Sequence, residues 1–130
     1  YKDNKNFLKS FAKYIEENAK KNELYLVFSI NEENKNEQAN LFFRNITLRR
    51  KEKGLDVRVL KNINHYKKEK HSKLKMKYTN FILPQGITIF RNCVILLSWV
   101  EQPVAIKIES DIYANQLRDF FSDLWKIAKK

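Results

Sequence analysis

One cysteine, two prolines and two glycines in 130 residues exclude several classes of protein at once. A lone thiol, Cys93, cannot build a disulfide framework or a thiolate metal cluster within a monomer, so a reducing, cytoplasmic setting is expected. Few glycines and prolines, with 43% hydrophobic residues and no internal repeat, argue against disorder and for a chain folded throughout. No apolar run approaches the roughly 18 residues that cross a bilayer, and the N-terminus lacks the apolar core of a signal peptide, so no membrane partner is expected. Glycine-rich phosphate loops are missing as well. Length and mass (15.7 kDa) suit one domain. Because residue 1 is Tyr and not Met, the chain is expected to be a fragment or a processed product.

Acidic residues are scarce in one region above all. Between Arg44 and Lys77 the only acids are Glu52, Asp56 and Glu69, and the whole chain carries a formal charge of +11. Such a surface attracts phosphates and other anions, with an affinity that falls steeply with salt, while a lysine-rich run also serves as a solvated face. Arg44, Arg49, Arg50, Lys67, Lys68, Lys70 and Lys73 are the candidate anion ligands, with His65 and His71 between them.

What is present reads as alternating helix and strand. Phe7, Leu8, Phe11, Ile15 and Ala19 recur at three and four residues, predicting a first helix capped by Asp3 or Asn4. Leu24–Ile30 is continuously apolar, as a strand buried on both faces would be. A second helix is expected over Glu32–Lys53, with Ala39, Phe42, Phe43 and Ile46 inward and Gly54 stopping it in the left-handed conformation. Leu55–Leu60 then alternates as a strand, which a right-handed crossover would set parallel to the first. From Lys61 to Lys77 the pattern dissolves into a polar, basic stretch, either a long surface loop or a short exposed helix. Met76, Tyr78, Phe81 and Leu83 restore apolar content before the Pro84-Gln85-Gly86 turn.

The last third, Ile87–Lys130, is the most regular. Two apolar runs meet at Arg91-Asn92, a third strand follows Pro103, and a helix capped by Ser110 or Asp111 closes the chain. Arg91 is an awkward residue for a turn position that needs positive φ. Tyr113, Leu117, Phe120, Phe121, Leu124, Trp125 and Ala128 follow the helical period and are expected to face the sheet. Trp99, at a strand end, either lines a pocket or packs under this helix. The expected architecture is α/β with α+β character at the C-terminal hairpin, a mixed sheet with helices packed on it.

The order Ile87-x-Ile89, turn, apolar strand ending at Trp99, Pro103-Val104-Ala105-Ile106-x-Ile108 and Phe121-x-x-Leu124-Trp125-x-x-Ala128 resembles the C-terminal effector domain of archaeal TrmB-type transcriptional regulators. The segment Tyr1–Ala19 and the run Arg49-Arg50-Lys51-Glu52-Lys53-Gly54 leading into Leu55 fit the same family, so the likeness spans nearly the whole chain. It departs at Asp3, where the family often has Gly, and at Arg91-Asn92, where a Gly-Asp pair is common. The resemblance implies a signal-sensing and dimerisation domain, working as a homodimer. It also implies DNA contact through a winged-helix domain N-terminal to Tyr1 and a small-molecule effector near the C-terminal ends of the central strands. A stand-alone basic nucleic-acid-binding protein is the alternative.

The resemblance also implies a fold related to the phospholipase D superfamily, whose enzymes use His-x-Lys-x-x-x-x-Asp. His65-Tyr66-Lys67 and His71-Ser72-Lys73 match its start, but Ser72 and Tyr78 stand where the aspartate belongs. His65 and His71 are six apart with no carboxylate pair beside them, which does not suit a zinc site. Cys93, within CVILLSW, reads as a small buried apolar residue. The expectation is therefore no enzyme, no metal and no cofactor.

Overall fold

A computed structural model of the chain describes residues 4–28, 37–62, 75–81, 83–84, 86–98 and 104–129, with the backbone alone at 4–8, 37–43, 98 and 104. The elements are α1 (Asn4–Asn18), β1 (Leu24–Phe28), α2 (Glu37–Lys53), β2 (Asp56–Asn62), β3 (Lys75–Thr79), β4 (Ile87–Phe90), β5 (Cys93–Ser98), β6 (Val104–Glu109) and α3 (Asp111–Ile127). The strands form one mixed sheet in the order β3-β2-β1-β4-β5-β6. β1, β2 and β3 run parallel, and β4, β5 and β6 continue the sheet antiparallel from the other edge of β1.

Central placement of β1 follows from its side chains. Tyr25 points to one face and Leu26 and Phe28 to the other, and all three are buried. Parallel strands need a long crossover, which α2 supplies between β1 and β2. α1 and α2 share one face, where Phe11, Ala12, Ile15 and Ile46 meet Tyr25, Val57, Val59, Phe90 and Ile95. On the opposite face Ala114 and Phe121 of α3 lie on Leu26, Phe28, Leu60, Ile89 and Val94. Each large buried side chain contributes about 1.5–3 kcal/mol through lost apolar contact with water.

Gly54 ends α2 as its position predicts. Its φ is +64°, Gly54 N–H donates to Lys51 O (3.2 Å) and Leu55 N–H to Arg50 O (3.1 Å), the paired bonds of a Schellman motif. The β4–β5 turn sits at Arg91-Asn92, with Arg91 at φ +57°. Several contacts hold that strained residue: its guanidinium donates to Glu23 Oε2 (2.8 Å) and to Asn18 O, while Arg118 Nη1 donates to Arg91 O (2.7 Å). Ser110 caps α3, its hydroxyl accepting from Tyr113 N–H at 3.2 Å, and Asp111 is the first helical residue.

Some expectations need correction. Residues 75–77, read as the end of a loop or exposed helix, open a strand, and Lys61 and Asn62 close another. Lys75, Lys77 and Thr79 alternate with Met76 and Tyr78, so the two-residue period is there, with lysines on the face facing α3. Tyr113 and Phe120 are 38% and 45% exposed, not core. Ala114, which no large-residue pattern marks, is fully buried in the cluster under α3. Leu117, Leu124, Trp125 and Ala128 pack against that core only partly buried. Asn4 begins α1 and does not precede it. Asp3, residues 29–36, Gln85, Trp99 and the side chains of Phe7, Leu8, Ala39, Phe42 and Phe43 lie outside the described residues.

Candidate functional site

Two of the three described candidate anion ligands are engaged in packing. Arg49 reaches from α2 to Glu16 of α1 (3.5 Å) and to Glu52 in its own helix (4.0 Å). Arg50 donates to Thr47 Oγ1 (3.1 Å) and lays its guanidinium 5.1 Å from the centroid of the buried Tyr25 ring. Burial pushes the Arg50 pKa down, against the opposing effect of the nearby Tyr25 phenol, and pushes the Tyr25 hydroxyl up. A planar guanidinium on an aromatic face suits that place better than a phosphate would. Arg44, further up α2, is exposed. His65, Lys67, Lys68, Lys70, His71 and Lys73 lie outside the described residues.

Beside Arg49 runs an open groove of about 500 Å³ between α1 and α2, lined by Lys9, Lys13, Glu16, Glu17 and Asn45. Its charges are mixed, Lys9, Lys13 and Arg49 against Glu16 and Glu17, and Arg49 is already engaged by Glu16, so it has no strong preference for an anion.

A second cationic cluster was not singled out in the sequence. On the α3 side of β2 and β3, Asp56 Oδ2 accepts from Arg58 Nη2 (3.1 Å) and its Oδ1 lies 3.2 Å from Lys75 Nζ. Burial alone would raise the Asp56 carboxyl, but the bonds from Arg58 and Lys75 outweigh it and hold the pKa below its ordinary value. Trp125 of α3 sits among these cations, its ring centroid 5.8 Å from the Arg58 guanidinium and 4.8 Å from Lys77 Nζ. Lys77 Nζ also donates to Trp125 O at 3.0 Å. Three cations and one carboxylate around an indole make a net positive surface at the strand into which the basic stretch 63–74 leads. The signal for it was the register: Arg58 and Lys75 are paired across β2 and β3, which a one-dimensional reading of lysines does not reveal.

Other chemistry-bearing groups are quiet. Cys93 is buried, and desolvation raises its pKa, so the thiol stays protonated at neutral pH. Among the described residues there is no group of three or more His, Cys, Asp or Glu side chains able to hold a metal ion. No described helix is long and apolar enough to cross a membrane.

No family model and no curated protein matches the sequence. Among solved structures the fold is similar to that of TrmBL2, an archaeal chromatin protein whose structure is described as showing a novel mode of DNA binding. The likeness has a TM-score of 0.59 at 17% identity and covers 96% of this chain but 50% of that one. The chain therefore spans about half the length of TrmBL2, and what the two share is the fold, a mixed sheet with a pair of helices on one face and a single helix on the other.

Proposed function

We propose that this chain is the effector and dimerisation domain of a TrmB-like archaeal DNA-binding regulator, which passes the binding of a ligand or partner to a DNA-binding domain attached to it. The observation that carries this reading is the fold likeness over 96% of the chain to half of a DNA-binding chromatin protein. Arg49 and Arg50 support it, because cations engaged with Glu16 and with the Tyr25 ring are not presented to a phosphate backbone. In this reading the homodimer acts inside the cell, the domain has a phospholipase D-like fold without its chemistry, and it turns nothing over. An effector would bind where β1 and β2 end, and an anionic one would draw on Arg44 and the lysines and histidines between residues 63 and 74.

The test is the intact mass and DNA affinity of the native gene product beside those of the 130-residue chain. The expected result is a mass well above 15.7 kDa, with the added chain supplying duplex affinity that the 130 residues lack. Equal affinity of the two would overturn the reading. It would favour instead a stand-alone nucleic-acid binder, for which the cluster of Arg58, Lys75 and Lys77 around Trp125 is the supporting observation. That alternative requires log K to fall linearly with log salt.

A further inference from the structure

The turn between β4 and β5 is built from a residue that does not favour it. Phe90 and Cys93 close a two-residue loop, and in such loops a positive φ at the first central residue selects glycine. Arg91 stands there at φ +57°, in the left-handed region that is unfavourable to any residue with a Cβ. Its long side chain also lacks the short local hydrogen bond that eases Asn or Asp into that region. The conformation is therefore held from outside the turn.

What holds it comes from both faces of the sheet. Towards α1, the Arg91 guanidinium donates from Nε to Glu23 Oε2 (2.8 Å) and from Nη2 to Asn18 O, the last carbonyl of the helix, where a cation also meets the negative end of the helix dipole. The Arg91 and Glu23 side chains are 26% and 25% exposed, so the ion pair is screened less than one in open solvent. Towards α3, Arg118 Nη1 donates to Arg91 O (2.7 Å), while its Nη2 donates to Asn115 Oδ1 (2.7 Å) and is steadied by it. The next carbonyl, Asn92 O, accepts from the N–H of Ser110, the cap of α3, at 2.9 Å. One residue thus gives its side chain to the helix on one face and its carbonyl to the helix on the other.

Because both sets of bonds hold the same strained backbone, neither is independent of the other. With both made, the left-handed turn is the favoured state. With either lost, the other set must hold the strain alone and the backbone relaxes towards negative φ, which swings the Arg91 side chain and carbonyl away from their partners. A turn with two arrangements, biased from two places, is the physical requirement for coupling between them. We propose that Arg91 is a strained latch coupling the end of α1 to α3 across the sheet, so that displacement of either helix loosens the other. Its use rests on the function proposed above, in which the DNA-binding domain precedes α1 and the latch carries a movement of α3 to it.

Urea unfolding and hydrogen exchange of the 130-residue chain test this. Glu23→Ala and Arg118→Ala act on opposite faces, so independent sites would give additive effects. The expected result is a double variant that loses less than the two single losses combined, by about threefold or more in the unfolding constant, because breaking either side already frees the turn. Arg118→Ala should also raise exchange of the amides in the last turn of α1 about threefold or more, although the bonds it removes go to Arg91 and Asn115. Arg91→Gly takes the turn without strain and has no guanidinium; in that background the two substitutions should become additive and the α1 amides indifferent to Arg118→Ala. Arg91→Asn, which also tolerates the left-handed region, separates loss of the guanidinium from the flexibility that glycine brings. Additive effects in the wild-type chain overturn the latch, and so does coupling that survives both Arg91→Gly and Arg91→Asn. The intact-mass measurement bears on the attached domain alone, so the two readings fail separately.

Discussion

The two faces of the sheet are built on different terms. Under α1 and α2 the core is sealed at its rim by cations that have found partners: Arg49 holds Glu16, and Arg50 covers Tyr25. On the α3 face one helix covers six strands, and its margins stay open, with Arg58, Lys75 and Lys77 around Trp125 on one side and exposed Phe120 and Tyr113 on another. Two helices complete a surface that one cannot. Where a sheet is covered by a single helix, the side chains left over are the ones available for contact with other molecules.

Substitutions can break or sharpen that contrast. The largest effect is expected from the two cores themselves: Phe90→Ala on the first face and Phe121→Ala on the second, both about 1% exposed or less, should each cost about 3–5 kcal/mol in urea denaturation. Because the two residues belong to separate clusters across the sheet, the double variant should be close to additive, and strong coupling would show the faces to be one unit. Next comes Gly54→Ala, which forces a Cβ into φ +64° and 3.3 Å from Lys21 Cγ, and should destabilise by about 1 kcal/mol or more.

The cations give the finer test. Arg50→Ala removes a partly desolvated guanidinium from an aromatic face and should cost about 1–2 kcal/mol, whereas Lys77→Ala, on the open face, should cost about 0.5–1 kcal/mol. Equal losses would erase the distinction between sealed and open margins. Smallest is a pH effect at Asp56. Its pKa is lower in the folded chain than the ordinary 3.8, so its stabilisation is full above that value and is lost as pH falls through the depressed folded value. Asp56→Asn should flatten that acid limb of an unfolding curve recorded against pH, leaving neutral-pH salt dependence on Arg58 and Lys75 to rise.

Much of this architecture was legible in the chain. The Arg91-Asn92 turn, the Gly54 stop and the Ser110 cap are local devices, each fixed by residues within a few positions of one another. β1 was legible as a central strand because its apolar run had no polar face to give water. β3 was missed because lysines at 75 and 77 occupy the face on which a strand usually shows its apolar side, and Tyr78 and Met76 alone are too few to set a period. Tyr113 and Phe120 share the helical period of the buried residues yet stay exposed, because periodicity gives the direction of an apolar stripe but not the width of the sheet beneath it. The candidate anion ligands show the same limit. Sequence displays the charge of Arg49, but Glu16, which engages it, comes from another helix and meets it only after folding.

The position of β1 bears on how this chain emerges from a ribosome. Its partners are β2 on one side and β4 on the other, so once Asn62 has left the exit tunnel the strand has one neighbour, and the second arrives only with Phe90. Arg91, whose guanidinium fastens Glu23 and Asn18 O, comes one residue later. Over that interval the nascent domain displays an open edge with Leu26 and Phe28 uncovered, because α3, which shields them, is translated last. A pause or truncation between residues 62 and 90 should therefore yield the form most dependent on chaperones.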